Sequence, residues 1–234
     1  MSRLFHCLAL PVFTALIALS SFSSSASVVI SGTRVIYPAD QKEVTVKLDN
    51  VGKAPVLIQS WIDNGDAGAT PEKMSVPFIL TPPINRIEAK KGQTLRLSYT
   101  GAPLPANKES VFYLNVLEIP AKDKALQSDN RLQMAFRSRI KLFFRPVGLP
   151  GNANDAVKAL SWTASAQGVT ATNSTPFYLS LVEVALGGKK VDGQMVPPMG
   201  SITFSLPGAR AGSQLAFSSV NDYGAVVKGN AVVK

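Results

Sequence analysis

The sequence predicts an all-β protein made of two immunoglobulin-like (Ig-like) β-sandwich domains. Three observations predict it: short stretches of alternating apolar and polar residues, turn residues between them, and no amphipathic helical pattern of any length. Short strands at this spacing are typical of a sandwich. We expect three segments: a targeting segment over residues 1–26, a first domain over 27–147 and a second, smaller domain over 148–234.

The first segment has the features of a cleaved signal peptide. Arg3 supplies a positive charge, Leu8 to Leu19 form an apolar run, and the small residues Ser24-Ser25-Ala26 suit signal peptidase. The apolar run is too short for a comfortable membrane span. We therefore expect cleavage near Ala26 and an exported, soluble chain that begins at about Ser27.

Loss of this segment limits the chemistry of the chain. The only histidine, His6, and the only cysteine, Cys7, leave with it. Ser-His-Asp and Cys-His catalysis, His/Cys zinc sites and disulfides all need residues that the mature chain lacks. We expect a protein that is not an enzyme and that binds no metal or cofactor.

The mature chain is basic. Loss of Arg3 leaves 23 basic and 15 acidic residues, a net charge of +8. This charge suits anionic membranes, polysaccharides, nucleic acids or acidic proteins. Nucleic acid is a poor fit, because the protein is exported and its basic residues do not form one cluster with interleaved aromatic residues.

The first domain is predicted from strands that follow one another along the chain. They are an opening strand from Val28 to Tyr37, then Val44 to Leu48, Val56 to Ile62, Phe78 to Leu80, Leu95 to Tyr99 and Val111 to Ile119. The last is almost continuously apolar, which favours burial between two sheets. Either X-Pro bond of Thr81-Pro82-Pro83 is a candidate for the cis form.

One predicted strand, Arg131 to Pro146, differs from the others in its length and its two faces. At the period of a strand its even positions are apolar except for Ser138, and five of its odd positions are cationic. These sixteen residues would extend about 50 Å, whereas an ordinary strand has about 5–6 residues. We interpret the stretch as a template strand that pairs with another protein; a long core strand ending at a linker explains the periodicity equally well.

A hinge and a second domain follow. Pro146 to Gly151 contains two prolines and two glycines, which favours an interdomain linker. The apolar stretches after it are Leu160 to Trp162, Phe177 to Val184, Val196 to Pro198, Ile202 to Leu206 and Leu215 to Phe217. They predict a smaller sandwich or barrel. Gly187-Gly188-Lys189 lacks the spacing of a phosphate-binding loop and is interpreted as a hairpin turn.

Five stretches carry a resemblance to one family. They are Thr33 to Pro38 (TRVIYP), Pro77 to Pro83 (PFILTPP), Glu109 to Pro120 (ESVFYLNVLEIP), Arg139 to Pro146 (RIKLFFRP) and Asn221 to Ala225 (NDYGA). In this order they resemble the PapD-like periplasmic chaperones of the chaperone/usher pilus pathway. The resemblance implies two Ig-like domains in a boomerang arrangement, pilus subunits and an outer-membrane usher as partners, and location in the periplasm. It leaves self-association of the free protein open.

The resemblance also gives the template strand a role. A pilus subunit resembles an Ig domain that lacks its last strand, and chaperones of this family donate a strand to the gap. By motif position, the donated side chains are Leu132, Met134 and Phe136, which the periodicity also places on the apolar face. Burial of each would contribute on the order of 1.5–3 kcal/mol.

A carboxylate anchor is implied as well. The family holds the C-terminal carboxylate of the subunit between two cations, and the matching positions are Arg34 and Lys141. A charge-assisted pair of this kind would fix the register of the bound strand. Because Lys141 is an odd position, opposite Leu132, both roles together require a bulge or a twist in the strand.

A further implied group joins the two domains. The family uses an ionic network for this, and the matching positions are Glu109, Arg145 and Asp222. The mature chain lacks the cysteine pair of long-loop members, and its loop from Ala121 to Asn130 is modest. The resemblance therefore points to the short-loop group.

Two functions of other classes remain as alternatives. The first is a secreted two-domain Ig-like adhesin or structural pilus subunit, which should lack a basic donor strand between its domains. The second is an enzyme, such as a glycan hydrolase that uses a carboxylate pair like Asp63 and Asp66, although acidic loop residues are usually solvated.

Overall fold

The computed structural model describes residues 27–68, 70–120 and 134–234. Within these ranges the chain consists of strands and two short 3-10 turns, Pro71–Lys73 and Ala156–Ala159. The predicted all-β class is confirmed, and no helix of the described ranges has the length and hydropathy needed to span a membrane. The predicted signal peptide, the loop 121–130 and Leu132 lie outside the described residues.

The first domain packs two sheets face to face. Its strands are β1 (Val28–Ile30), β2 (Arg34–Pro38), β3 (Val44–Asn50), β4 (Val56–Asp63), β5 (Phe78–Thr81), β6 (Ile84–Ile87), β7 (Gly92–Tyr99), β8 (Ser110–Pro120) and β9 (Phe136–Arg145). One sheet has the order β1-β3-β7-β5 and the other the order β2-β9-β8-β4-β6. The Thr81-Pro82 bond between β5 and β6 is cis.

Aromatic side chains fill one end of the core between these sheets. Tyr37 is fully buried, and its ring centroid lies 5.5 Å from that of Phe78 and 6.0 Å from that of Phe144. Its hydroxyl donates a hydrogen bond to the Gln41 carbonyl (3.1 Å) and accepts one from the Tyr99 backbone N–H (2.9 Å). The polar tip of this buried ring is therefore satisfied, as burial requires.

The opening strand differs from the prediction. Residues 28–38 form two strands that belong to different sheets: β1 pairs with β3, and β2 pairs with β9. Between them Gly32 has a φ of +106°, a conformation that glycine adopts without steric cost. Because the apolar alternation is intact within each half, the periodicity could not reveal that the chain crosses from one sheet to the other.

The long strand β9 keeps one register along its whole length. It runs antiparallel to β8 from Phe136 to Phe144 without a register shift, and parallel to β2 from Lys141 to Arg145. The expected bulge is not found in the described part of the strand. Phe136 and Lys141 therefore lie on opposite faces of β9, while Leu142 and Phe144 are buried in the core of the first domain.

The second domain has its own two sheets. Its strands are β10 (Ser161–Ser165), β11 (Gly168–Asn173), β12 (Leu179–Leu186), β13 (Lys189–Asp192), β14 (Met195–Val196), β15 (Gly200–Phe204), β16 (Gln214–Val220) and β17 (Val226–Val232). One sheet has the order β10-β11-β15 and the other β13-β12-β16-β17, with β14 also beside β12. A separate core surrounds the buried Trp162. The predicted hairpin turn is confirmed, since Gly187 and Gly188 join β12 to β13.

Candidate functional site

A pair of cations lies in the cleft between the two domains. Arg34 on β2 and Lys141 on β9 are direct partners in the parallel register of the two strands. Val35, next to Arg34, points into the core, so alternation along β2 directs the Arg34 side chain outward to the second domain. There its guanidinium donates a hydrogen bond to the Val220 carbonyl (3.0 Å), and the Lys141 ammonium donates to the Ser180 hydroxyl (3.2 Å).

Neither cation has a direct acidic partner in the part of the chain that the structure describes. Among the described residues, no carboxylate forms a salt bridge with Arg34 or Lys141, and the buried Nε of Arg34 has no hydrogen-bond partner. Burial lowers the pKa of Lys141, and the neighbouring charge of Arg34 lowers it further. Burial also lowers the pKa of Arg34, against the attraction of Asp222 and Glu109. Two half-buried positive groups with free donors form a site suited to a carboxylate.

The loss of stability caused by the two neighbouring cations can be measured in the free protein. Lys141→Met is expected to raise the free energy of unfolding by about 0.5–1 kcal/mol, because it removes a half-buried charge from beside Arg34. The gain is fully present below the lowered folded-state pKa of Lys141. As the pH rises through the lowered folded-state pKa of Lys141, the wild type loses this charge and the difference between the proteins closes. Urea unfolding of both proteins across this pH range measures it.

A matched control is Lys190→Met, since the Lys190 ammonium is exposed and pairs with Glu183 at 3.0 Å. We expect this change to alter the stability by no more than about 0.5 kcal/mol. A destabilised Lys141→Met, or a difference that does not depend on pH, contradicts the prediction.

An ionic network connects the domains beside this pair. Arg145 donates from Nε to Glu109 (2.7 Å), and from both terminal nitrogens to Asp222 (2.8 and 3.0 Å). The second oxygen of Glu109 accepts the backbone N–H of Tyr178 (2.7 Å). Burial raises the pKa of Glu109, although Arg145 and the Tyr178 N–H oppose this effect. The structure thus brings together all three residues that the resemblance assigned to the network.

Packing supports the same interface. The Phe143 ring, on the odd face of β9, lies 5.9 Å from the Tyr178 ring, and this contact leaves Phe143 only 3% exposed. In the turn between β16 and β17, Gly224 has a φ of +82°, and a Cβ there would lie 2.7 Å from the Thr33 hydroxyl. Glycine is therefore required where this turn meets the first domain.

The predicted donor side chains lie at the start of β9. Met134 is 55% exposed and Phe136 is 37% exposed, although both share the parity of the buried Leu142 and Phe144. The same apolar face thus serves the core of the first domain at one end of the stretch and is open to solvent at the other. Leu132, the third predicted side chain, lies outside the described residues.

The adjacent edge of β9 is also open. Because β2 pairs with β9 only from Lys141 onward, residues 136–140 have a strand partner, β8, on one side alone within the described chain. A strand edge of this kind presents unpaired backbone N–H and C=O groups to another chain. The open edge ends at Lys141, where the cation pair begins.

One charged cluster, on the odd-numbered face of β9, was not predicted from the sequence. Arg139 binds Asp63 through two hydrogen bonds (2.6 and 2.8 Å), and its guanidinium lies 3.6 Å from the centre of the Tyr113 ring. Burial alone raises the pKa of Asp63, but the hydrogen bonds from Arg139, Asn115 and the Gly65 N–H outweigh it and lower the pKa. Asp63 is therefore a buried structural anion, not a solvated loop residue, and no sequence signal linked it to Arg139.

Comparisons with known proteins agree with this geometry. Residues 27–150 match "Pili and flagellar-assembly chaperone, PapD N-terminal domain", and residues 155–231 match "Pili assembly chaperone PapD, C-terminal domain". The chain is 44% identical over 229 residues to the chaperone protein HifB of Haemophilus influenzae, covering 95% of each chain. It is 45% identical over 233 residues to the probable fimbrial chaperone YadV of Escherichia coli K12, covering 94% of each.

A solved structure gives the same result. A chain of the Salmonella enterica SafA pilin–SafB chaperone complex superposes with a TM-score of 0.79 at 28% identity, covering 90% of this chain and 98% of that one. The protein described here belongs to the PapD-like family of pilus-assembly chaperones, and its two sandwiches are the two Ig-like domains of that family. These findings favour the chaperone over the secreted adhesin or structural subunit.

Proposed function

We propose that the protein binds pilus subunits in the periplasm by adding β9 to their incomplete fold and by holding their C-terminal carboxylate between Arg34 and Lys141. The observation that carries the proposal is the open edge at residues 136–140, with exposed Met134 and Phe136 at one end and the cation pair at the other.

Each part of this surface has a separate task. The backbone of residues 136–140 supplies hydrogen bonds to the added strand, and these bonds are independent of the subunit sequence. The side chains that fill the groove of the subunit are Phe136, Met134 and Leu132. Burial of each contributes on the order of 1.5–3 kcal/mol to the binding free energy. Arg34 and Lys141 fix the register, since a slip of one residue would turn every side chain to the wrong face.

The ionic network of Glu109, Arg145 and Asp222 has a positioning role in this proposal. It holds the second domain against β9, so that Ser180 and Val220 stay close to the cation pair. We place the boundary between the domains at residues 147 and 148, and the position of these residues between the two cores supports it.

The proposal also covers the processing of the chain, its location and its second partner. Signal peptidase cleaves after Ala26, the mature chain acts in the periplasm without catalysis, metal or cofactor, and an outer-membrane usher receives the loaded subunit. Self-association of the free protein would cover the same open edge. The leader composition and the family membership support this setting.

The donor strand is tested by Phe136→Asp. Capture of a cognate pilus subunit in the periplasm is expected to fall at least about tenfold, because an apolar contact is lost and a carboxylate must be desolvated. The free variant is expected to unfold at a lower urea concentration than the wild type, because the new carboxylate lies opposite Glu118 on the same face of the sheet, so capture is compared without urea, where both proteins are folded. Val182→Asp on β12 is the matched control, an exposed apolar residue away from the edge, and should capture normally. Full capture by Phe136→Asp contradicts the proposal.

A further inference from the structure

A buried carboxylate lies next to the donor edge. Glu118, near the end of β8, is 7% exposed and pairs across the sheet with Phe136. By alternation it shares the inner face of β8 with Leu114 and Val116, which belong to the core. Among the described residues, no lysine or arginine forms a salt bridge with it. A buried negative charge without a partner is costly, so other groups must stabilise it.

The donors to Glu118 come from the residue at which the mature chain is proposed to begin. The backbone nitrogen of Ser27 lies 3.0 and 3.3 Å from the two carboxylate oxygens, and the Val28 N–H donates at 3.0 Å. The Ser27 hydroxyl also donates to Glu118. On its other side the Ser27 carbonyl accepts the Val51 N–H (2.8 Å), and a Cβ on Gly52 would lie 2.6 Å from the Ser27 Cβ. The Ser27 nitrogen is therefore held in place by packing as well as by hydrogen bonds.

We propose that signal-peptide cleavage creates a partly buried ion pair between the α-ammonium group of Ser27 and the carboxylate of Glu118. The inference rests on the proposed cleavage after Ala26, and not on subunit binding. Water hydrolyses the Ala26–Ser27 peptide bond, which leaves a carboxylate on Ala26 and an amine on Ser27, and this amine takes up a proton. In the precursor the same nitrogen is a neutral amide that donates one hydrogen bond.

The ion pair has a structural consequence. β1 lies in the four-stranded sheet and β8 in the five-stranded sheet, so the contact joins the two layers of the first domain. It does so beside Phe136, the residue at which β9 begins. Processing thus strengthens the first domain at the position that holds the donor strand, and the unprocessed chain is the less stable of the two forms.

The test compares two full chains that differ only at the N-terminus. One begins at Ser27, and the other keeps Ser25 and Ala26 in front of it; both are released from a fusion by a protease that leaves no other residue. Extension is expected to raise the unfolding equilibrium constant at least about tenfold in urea, because the charge on the nitrogen is lost. In a Glu118→Gln background, the same extension should change this constant by less than about twofold, since the coupling partner is absent.

Glu88→Gln is the matched control. Its carboxylate is 59% exposed and pairs with Arg86 on the surface, so the effect of the extension should persist undiminished in this background. Equal stability of the two wild-type chains overturns the proposal, as does an extension effect of the same size in Glu118→Gln. N-terminal sequencing of the periplasmic protein that begins at any residue other than Ser27 also overturns it.

A chemical measurement needs no substitution. A paired, partly buried ammonium group should react slowly with an acylating reagent, so the α-amine of the folded Ser27 chain is expected to react at least about tenfold more slowly than that of a Ser-Val-Val peptide. The site of acylation is read by peptide mass spectrometry. Reaction of the folded chain at the rate of the peptide contradicts the ion pair, whatever the outcome of the subunit-capture experiments.

Discussion

Arg34→Ala is expected to fold normally and to lose the capture of pilus subunits. The guanidinium donates one hydrogen bond to the Val220 carbonyl and pairs with no carboxylate among the described residues, so the free protein depends little on it. In the complex it would bind the terminal carboxylate of the subunit. Truncation of one partner of a buried, hydrogen-bonded charge pair costs about 2–5 kcal/mol, which is at least a ~30-fold loss of affinity. Co-purification from the periplasm and titration with a refolded subunit measure it.

Arg86→Ala provides the control for this prediction. Arg86 is on β6 of the same sheet, but it is 65% exposed and pairs with Glu88 at the surface. Its loss should leave capture unchanged. If Arg34→Ala captures subunits as well as Arg86→Ala does, the anchor is assigned to the wrong residues. Lys141→Met should lose subunit capture while its free energy of unfolding rises. Because a purely structural residue would lower both when substituted, this result would assign a binding role to Lys141.

Arg145→Ala is expected to destabilise the protein by about 3–5 kcal/mol, because it leaves a buried carboxylate without its partner. Glu109 is only 3% exposed, and burial already raises its pKa even with Arg145 in place. Addition of Glu109→Gln to this variant should recover part of the loss, since the uncompensated charge is then absent. Urea unfolding of the single and double variants measures both effects.

Arg96→Ala is the corresponding surface control. Arg96 is 64% exposed and binds Glu43 at 2.7 Å, an exposed pair for which a contribution of about 0–1 kcal/mol is usual. If Arg145→Ala lowers the free energy of unfolding by less than about 1 kcal/mol, its ion pairs contribute no more than an exposed surface pair does. The network would then have no part in holding the domains together.

The strands of both domains were predictable because burial follows a local period of two. The partners of each strand were not, since pairing depends on residues far away in the chain. Residues 28–38 show this limit: each half alternates as expected, yet the halves belong to different sheets. Phe143 shows it again, because the period of two places it on the face opposite the core of its own domain and does not reveal its contact with the Tyr178 ring of the second domain.

The candidate site was predictable only where the family resemblance supplied positions. It placed Arg34 beside Lys141 and Arg145 between two carboxylates, neither of which follows from residue spacing alone. Contacts to which the resemblance assigned no role, such as Arg139 with Asp63 or Ser27 with Glu118, join residues far apart in the chain. No local pattern in the sequence marks them.

The position of the cation pair, where β2 begins to pair with β9, would determine the direction of a strand that ends there. β2 occupies this edge from Lys141 onward, so a guest whose last residue reaches the cation pair must approach from the Phe136 end. The guest strand then runs parallel to β9. Beyond its carboxylate, β2 takes the same place beside β9. A guest of opposite polarity would bring its positively charged amino terminus against Arg34 and Lys141 and would be repelled. The edge therefore distinguishes the two ends of a polypeptide without reading its sequence.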